Sequence, residues 1–191
     1  MIVLETERLI LRQLTIDDAE FVLELLNEPS FLQYIGDRGV RNLEDAREYI
    51  LNRLITSYER NGFGLYLVEL RKGRIPIGIS GLVKRATLPD ADIGFAFLPA
   101  YWSKGYALES AAAVMNYARD VLGLNRILAI TSPDNEASAK LLGKIGLRFE
   151  RMIKLSEDTD EVKLFTTLEG QTDERPSNSV WTHTGGIGRS S

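Results

Sequence analysis

The residues with the clearest chemical potential sit in one turn, Ser103-Lys104-Gly105-Tyr106-Ala107. An apolar run from Ala91 precedes it and an alanine-rich run to Ala112 follows. A strand that delivers a small-residue turn to a helix N-terminus makes a place for phosphate. Backbone N–H groups there lack intrahelical partners, and the helix dipole adds positive partial charge. Gly105 takes positive φ without strain, Ala107 leaves a diphosphate room to reach the backbone, and Lys104 supplies a cation. The plain alternative is a strand–turn–helix connection that holds no ligand. A Walker loop is excluded, because Lys104 precedes the glycine and Tyr106 follows it. A dinucleotide fingerprint is excluded too: Gly62-Phe63-Gly64 and Gly186-Ile187-Gly188 each lack the third glycine.

A second segment, Arg126 to Phe149, supports the ligand-binding alternative. Ile127 to Thr131 form a β-rich, nearly continuous apolar run, as expected of a buried strand. Ser132, Pro133, Asp134 and Asn135 supply helix-start chemistry. Leu141, Leu142 and Ile145 form one face of a short helix that Gly146 stops, and Leu147 to Glu150 begin another strand. The sum is strand–phosphate-type turn–helix–strand–Asn turn–helix–strand, a right-handed βαβαβ plan if the strands are parallel.

Other elements must hold these two segments in place. Leu9, Leu11 and Leu14 mark a first strand. Thr15 with Asp18 opens a helix carrying Phe21, Val22, Leu25 and Leu26, which Pro29 stops. Asn42 caps a longer helix with Leu43, Ala46, Ile50, Leu54 and Tyr58 on one face. Asn61 to Gly64 turn the chain into a strand at Leu65–Leu70. Lys72-Gly73-Arg74 make a hairpin turn into Ile75–Lys84, and Val162 to Thr166 close the sheet. Residues 169–191 are polar, Gly-rich and aperiodic, which predicts a flexible tail after a domain at 1–168; Trp181 is the one residue there suited to anchoring it.

Composition narrows the function. A chain of 191 residues with 44% hydrophobic and 26% charged residues suits one globular domain. No cysteine is present, which rules out disulfides, a thiolate metal site and a catalytic thiol. The single histidine, His183, lies in the expected tail, so neither a histidine metal site nor a Ser-His triad is expected. A net charge of −4 gives no electrostatic reason for a nucleic-acid partner. No apolar run reaches the ~18 residues of a membrane helix, and Ile2-Val3-Leu4 lacks a signal-peptide layout. A cytoplasmic protein, with no membrane or metal partner, is the expectation.

In order, Thr6-Glu7-Arg8-Leu9-Ile10-Leu11-Arg12, Asp92-Ile93-Gly94-Phe95, Tyr101 to Ser110, Asn135-Glu136-Ala137-Ser138 and Lys144-Ile145-Gly146-Leu147 resemble the GNAT superfamily of acetyl-coenzyme A-dependent N-acetyltransferases. They look most like its RimJ/RimL branch, which acetylates protein N-termini and related amines. The likeness runs over about Leu4 to Thr167. Trp102 stands where the superfamily often has Gln or Arg, which is usual for this branch. Ser103 replaces a preferred glycine, Leu147 a preferred phenylalanine, and Leu142 the tyrosine that in many relatives protonates the departing thiolate.

The resemblance implies a single α/β (α+β) domain: a mixed sheet of about six to seven strands flanked by about four helices and splayed between the fourth and fifth strands. It implies acetyl-CoA as co-substrate, no metal, and direct transfer to a primary amine by a monomer or homodimer. Coenzyme A would lie between Asp92–Leu98 and Arg126–Thr131. Its pantetheine would bond the free backbone edge at Phe95, Phe97 and Leu98, with an N–H near Phe97 stabilising the oxyanion. Its diphosphate would take N–H groups from Ser103, Lys104, Gly105, Tyr106, Ala107 and Leu108. Asn135 would bond the pantetheine, and Ser138 would face the sulfur as the candidate to protonate the thiolate or hold a water that does, its plain alternative being an early-helix serine that bonds backbone. Asp92 is the candidate base through water, its bland alternative being a solvated strand-end carboxylate. Glu109 is structural, favourable with the helix dipole. The segment Asn27 to Arg41 is expected as an acceptor loop, with Tyr34 and Tyr66 as acceptor contacts. A coenzyme A sensor without turnover and a partner-binding domain whose turn binds nothing are the competing functions.

Overall fold

The structure is a computed structural model that describes residues 1–157 and 159–168; the expected tail at 169–191, with Trp181, lies outside the described residues. The chain opens with strands β1 (Ile2–Glu5) and β2 (Leu9–Arg12). In β2 the residues Leu9, Ile10 and Leu11 are all buried, and Leu9 and Leu11 join the core that α5 covers. A capping exchange follows: the Asp18 carboxylate accepts the Thr15 N–H at 2.8 Å and launches α1 (Ala19–Asn27). Helix α1 buries Ala19, Phe21, Val22, Leu25 and Leu26. Each large aliphatic side chain of this kind contributes about 1.5–3 kcal/mol on burial.

Pro29 ends α1 as expected, but it also occupies the first turn of a second helix, α2 (Pro29–Tyr34). The expected acceptor loop at Asn27 to Arg41 is therefore helical over its first part, with Phe31 buried. Asn42 accepts the Asp45 N–H at 3.0 Å and caps a continuous helical run: α3 (Leu43–Tyr49), a π-helical stretch (Ile50–Ile55) and α4 (Thr56–Asn61). The sequence explains the wider turn. Ala46, Ile50, Leu54 and Tyr58 are spaced four apart, which drifts around a 3.6-residue helix; one wider turn returns them to a single face. Ala46 and Ile50 are fully buried and Leu54 is nearly so.

Strands β3 (Leu65–Leu70), β4 (Pro76–Val83) and β5 (Asp92–Phe97) continue the antiparallel sheet. Helix α5 (Tyr106–Asp120) then crosses to β6 (Leu128–Thr131), and α6 (Glu136–Lys144) leads to β7 (Leu147–Lys154) and β8 (Glu161–Thr167). Strand order is β1-β2-β3-β4-β5-β6-β8-β7, an eight-stranded mixed sheet in one domain. One strand exceeds the expected range because Ile2–Glu5 pairs along the edge of β2. Among the described residues, with the continuous run Leu43 to Asn61 counted as one, there are five α-helical bodies, close to the four or so expected, α2 being the addition.

Two cores sandwich the sheet. On one face Ala111, Val114, Met115 and Ala118 of α5 and Leu142 of α6 pack against Leu9, Leu11, Tyr66, Val68 and Ile93. On the other, α1 to α4 pack against Leu67, Ile79 and Leu98. Among the described residues no helix is long and apolar enough to cross a membrane.

The feature that positions the site is a fault in the sheet. Strands β5 and β6 run parallel yet pair only at Asp92↔Leu128, whereas β6 pairs with β8 along Leu128 to Thr131. This is the splay anticipated between the fourth and fifth strands, moved one place by the extra N-terminal strand.

Candidate active site in the cleft between β5 and β6

Antiparallel pairing decides which backbone groups of β5 face the cleft. Leu98 N–H donates to Ile77 O at 3.0 Å, and the register pairs Ala96 with Ile79 and Gly94 with Gly81. Alternation then turns the backbone groups of Ala96 and Gly94 toward β4, and those of Phe95 and Phe97 toward β6. The Leu128 N–H bonded to Ala91 O at 3.0 Å confirms the phase. Beyond Asp92 strand β6 diverges, which leaves the edge at Phe95 and Phe97 open to an added strand-like ligand. Leu98 is corrected: its N–H is spent on β4 and its side chain is buried in the α1–α4 core.

A cavity of about 420 Å³ opens where the strands part, lined in part by Phe97, Trp102, Gly105 and Tyr106 on one side and by Lys140 and Lys144 of α6 on the other. Of the expected phosphate residues, Ser103, Gly105, Tyr106, Ala107 and Leu108 line it. Gly105 has φ +82 and Ser103 φ +59, so both take the left-handed conformation. The Ser103 value explains why glycine suits that position. Glu109 N–H closes the first intrahelical bond, to Gly105 O at 3.0 Å, so the N–H groups of Tyr106, Ala107 and Leu108 stand ahead of the helix without intrahelical partners. An anion fits here on the protein's own geometry.

Lys104 is corrected as a source of cationic charge. Its ammonium donates to Ala100 O at 2.8 Å and sits 5.4 Å from the Tyr101 ring centre, and the residue does not line the cavity. Cationic charge at the cavity comes instead from Lys140 and Lys144, which sequence reasoning missed. Their signal was a like-charged i,i+4 pair on one face of α6; Glu136, one turn back at 3.8 Å, answers Lys140 in part and leaves Lys144 without such an i,i+4 partner on that face. Trp102, treated only as part of the turn, donates its indole N–H to Phe97 O at 2.7 Å and walls the cavity while 48% exposed.

At the start of α6, Asn135 Oδ1 accepts the Ser138 N–H at 3.0 Å, capping the helix. That leaves the Asn135 amide hydrogens as donors at the cleft end of β6. Neither Asn135 nor Ser138 lines the cavity itself; Ala137 and Leu141, on the same helix, do. Leu142 is 1% exposed in the α5 core, so the position of the usual tyrosine acid is filled by packing.

Asp92 sits where β5 and β6 still pair, one residue out of phase with Ile93 and hence on the face opposite α5. The solvated strand-end reading is overturned. The carboxylate is 1% exposed, and Arg85 Nε donates to its two oxygens at 3.0 and 3.2 Å. Burial pushes its pKa up to about 6, against the lowering effect of Arg85.

The two expected acceptor contacts separate. Tyr34 ends α2, half-buried, on the α1–α4 side of the sheet. Tyr66 is corrected: it is 1% exposed on the α5 side, stacked on Tyr58 at 5.7 Å and edge-on to Tyr117 at 6.5 Å. Tyr66 is core and has no surface to offer an acceptor.

Residues 8–148 match the family model described as Acetyltransferase (GNAT) domain. The chain is similar to the Bacillus subtilis protein named Uncharacterized N-acetyltransferase YoaA, 34% identical over 153 residues that span 80% of this chain and 86% of that one. It superposes on a GNAT-family acetyltransferase from Bacillus anthracis with a TM-score of 0.72 at 28% identity, covering 88% of this chain and 98% of that one. RimL, named a ribosomal L7/L12 alpha-N-protein acetyltransferase and solved in complex with coenzyme A, shares the fold, with a TM-score of 0.74 at 21% identity over 88% of this chain and 98% of its own. An open strand edge beside a helix-start anion cradle, over a stretch matched by that family model, places the chain in the GNAT acetyltransferase family as an acetyl-CoA-dependent enzyme.

Proposed function

We propose that this enzyme moves the acetyl group of acetyl-CoA to a primary amine, on a peptide N-terminus or a small molecule, by direct attack in a ternary complex, in the manner of the RimJ/RimL branch. The observation that carries this reading is the unpaired edge of Phe95 and Phe97 beside the anion cradle of α5. Acetyl-CoA supplies an activated thioester carbonyl. Backbone groups of Phe95 hold the pantetheine amides, and the Phe97 N–H, the one group Phe97 has left once its carbonyl accepts from Trp102, polarises the thioester carbonyl and stabilises the oxyanion. The N–H groups of Tyr106, Ala107 and Leu108 take the diphosphate, with Lys140 and Lys144 adding charge. Asn135 donates its amide to the pantetheine.

Alignment is the main contribution of such a site. A carbon–nitrogen bond forms at the carbonyl, the carbon–sulfur bond breaks, and two protons must be handled. An α-amine with a pKa near ~8 is partly neutral at physiological pH, so a weak base suffices. Asp92, raised to about 6 by burial, has the strength of a useful base, but it is 1% exposed with both oxygens on Arg85 and lies five residues before Phe97, so it acts at a distance, through relayed water. Ser138 relays a proton from solvent water to the departing thiolate, or holds a water that delivers it, so that no alkoxide is left behind. The acceptor enters from the α1–α4 face, where Tyr34 lies.

The test is a panel of peptides and small amines assayed by free-thiol release, after calorimetry has established saturable acetyl-CoA binding. At least one acceptor should turn over. Binding with no turnover across the panel would make the chain a sensor, and no binding by folded protein would overturn both.

A further inference from the structure

The loop between β1 and β2 reaches across the sheet edge to the anion cradle. Arg8 carries the contact. Its Nε donates to Glu109 Oε2 at 2.6 Å, its backbone N–H to Glu109 Oε1 at 3.0 Å, and its NH1 group to Lys104 O at 2.9 Å. The guanidinium also lies 4.6 Å from the centre of the Tyr106 ring. Thr6 Oγ1 adds a bond to Glu109 Oε1 at 2.6 Å. A Cβ placed on Gly105 would stand 3.2 Å from the Arg8 NH2 group, so Arg8 fills the space behind the glycine turn. The loop is itself braced: Arg71 donates its N–H to Arg8 O at 2.8 Å and its guanidinium to Thr6 O at 3.0 Å.

We propose, resting on the acetyl-CoA reading above, that Arg8 is a positioning residue for the diphosphate site, clamping the Lys104 carbonyl and the Glu109 carboxylate so that the turn presents donors and no bare negative charge. Two physical effects converge. Carbonyl oxygens in a tight turn compete with N–H groups for orientation; Arg8 binds the Lys104 carbonyl and leaves the N–H groups for the ligand. Glu109 lies in the first turn of α5, where a lone carboxylate would repel a diphosphate; Arg8 neutralises it through charge-assisted bonds. Burial alone would raise the Glu109 pKa, but bonds from Thr6 and from the Arg8 backbone and side chain outweigh it and hold it below the ordinary value. Glu109 is thus the anchor of the clamp as well as a favourable dipole partner.

The experiment compares two donors, acetyl-CoA and acetyl-pantetheine, which carries no phosphate, in wild type and Arg8→Ala. Arg8→Ala should raise the Kd for coenzyme A about tenfold or more. It should raise the KM for acetyl-CoA with kcat little changed and leave kcat/KM for acetyl-pantetheine within twofold. Arg8→Lys, which keeps the charge and loses the fork, should recover only part of the affinity. Equal coenzyme A affinity in Arg8→Ala, or equal losses with both donors, overturns the clamp. Should Arg8→Ala fail to fold by thermal melt, Arg8→Lys decides alone: unchanged coenzyme A affinity overturns the proposal. Failure of the wild type to bind coenzyme A would instead sink the acetyl-CoA reading beneath it.

Discussion

Trp102 donates its indole N–H to the carbonyl of Phe97, five residues back, at 2.7 Å. That carbonyl belongs to the open edge of β5, so the bond stops the edge at Phe97 and leaves the Phe97 N–H and both backbone groups of Phe95 for a ligand. Trp102→Phe should free the carbonyl and loosen the cavity wall. We expect coenzyme A affinity to fall a few-fold, as for loss of one neutral hydrogen bond of about 1 kcal/mol. The only other tryptophan is Trp181, so the intrinsic-fluorescence change on coenzyme A binding should shrink sharply in the variant. A full-sized signal would place the ligand away from Trp102.

The turn offers two opposite substitutions. Gly105→Val forces a β-branched residue to φ +82 and toward Arg8, costing about 1–2 kcal/mol or more of backbone strain. Coenzyme A affinity should drop at least tenfold while the protein still folds. Ser103→Gly relieves a strained φ of +59, and the relief is offset by the entropy of glycine. Denaturant melts should show no loss of stability, and affinity should hold or improve. A clear loss in Ser103→Gly would mean that the serine hydroxyl itself touches the ligand.

Asp92 makes the pH behaviour specific. Its folded pKa of about 6 exceeds the 3.8 of an ordinary aspartate, so the folded state binds more protons between those values. The stability it contributes is full below about pH 4 and is lost as pH rises through 6, by about 3 kcal/mol at most. The stability gap between wild type and Asp92→Asn should narrow over that window, read by urea melts. If Asp92 also serves as base, kcat should rise through pH 6 in the wild type and lose that limb in Asp92→Asn. A gap that widens with pH would refute the raised value.

Ser138→Ala should lower kcat with coenzyme A affinity held, because its backbone N–H still caps on Asn135. Steady-state rates across several acceptors check this. Equal rates would leave Ser138 as a helix-start residue only.

Local features proved legible in sequence. Gly105 before an alanine-rich helix, Asn42 and Asn135 as caps, and the apolar run of β6 all depend on neighbours a few residues away, and each stands as expected. What stayed hidden depends on where side chains turn. Lys104 lies beside the glycine in sequence, yet its ammonium folds back on Ala100, while Lys140, far along the chain, reaches the cavity. Tyr66 alternates correctly along β3, but periodicity does not say which face a helix will cover, and α5 seals it. Arg8 meets Glu109 across 101 positions, a pairing with no local signature. The short helix at Pro29 was masked because proline marks a stop and a start equally well.

The final strand of the sheet has a consequence for how the enzyme comes into being. Strand β6, the far wall of the cleft, touches β5 at one residue pair and is otherwise secured by β8, residues Glu161–Thr167. A nascent chain that has emerged only as far as α6 therefore owns the glycine turn but lacks the strand that pairs with the opposite wall along its length. Competence to bind acetyl-CoA should follow the emergence of Glu161–Thr167, when that strand slots between β6 and β7.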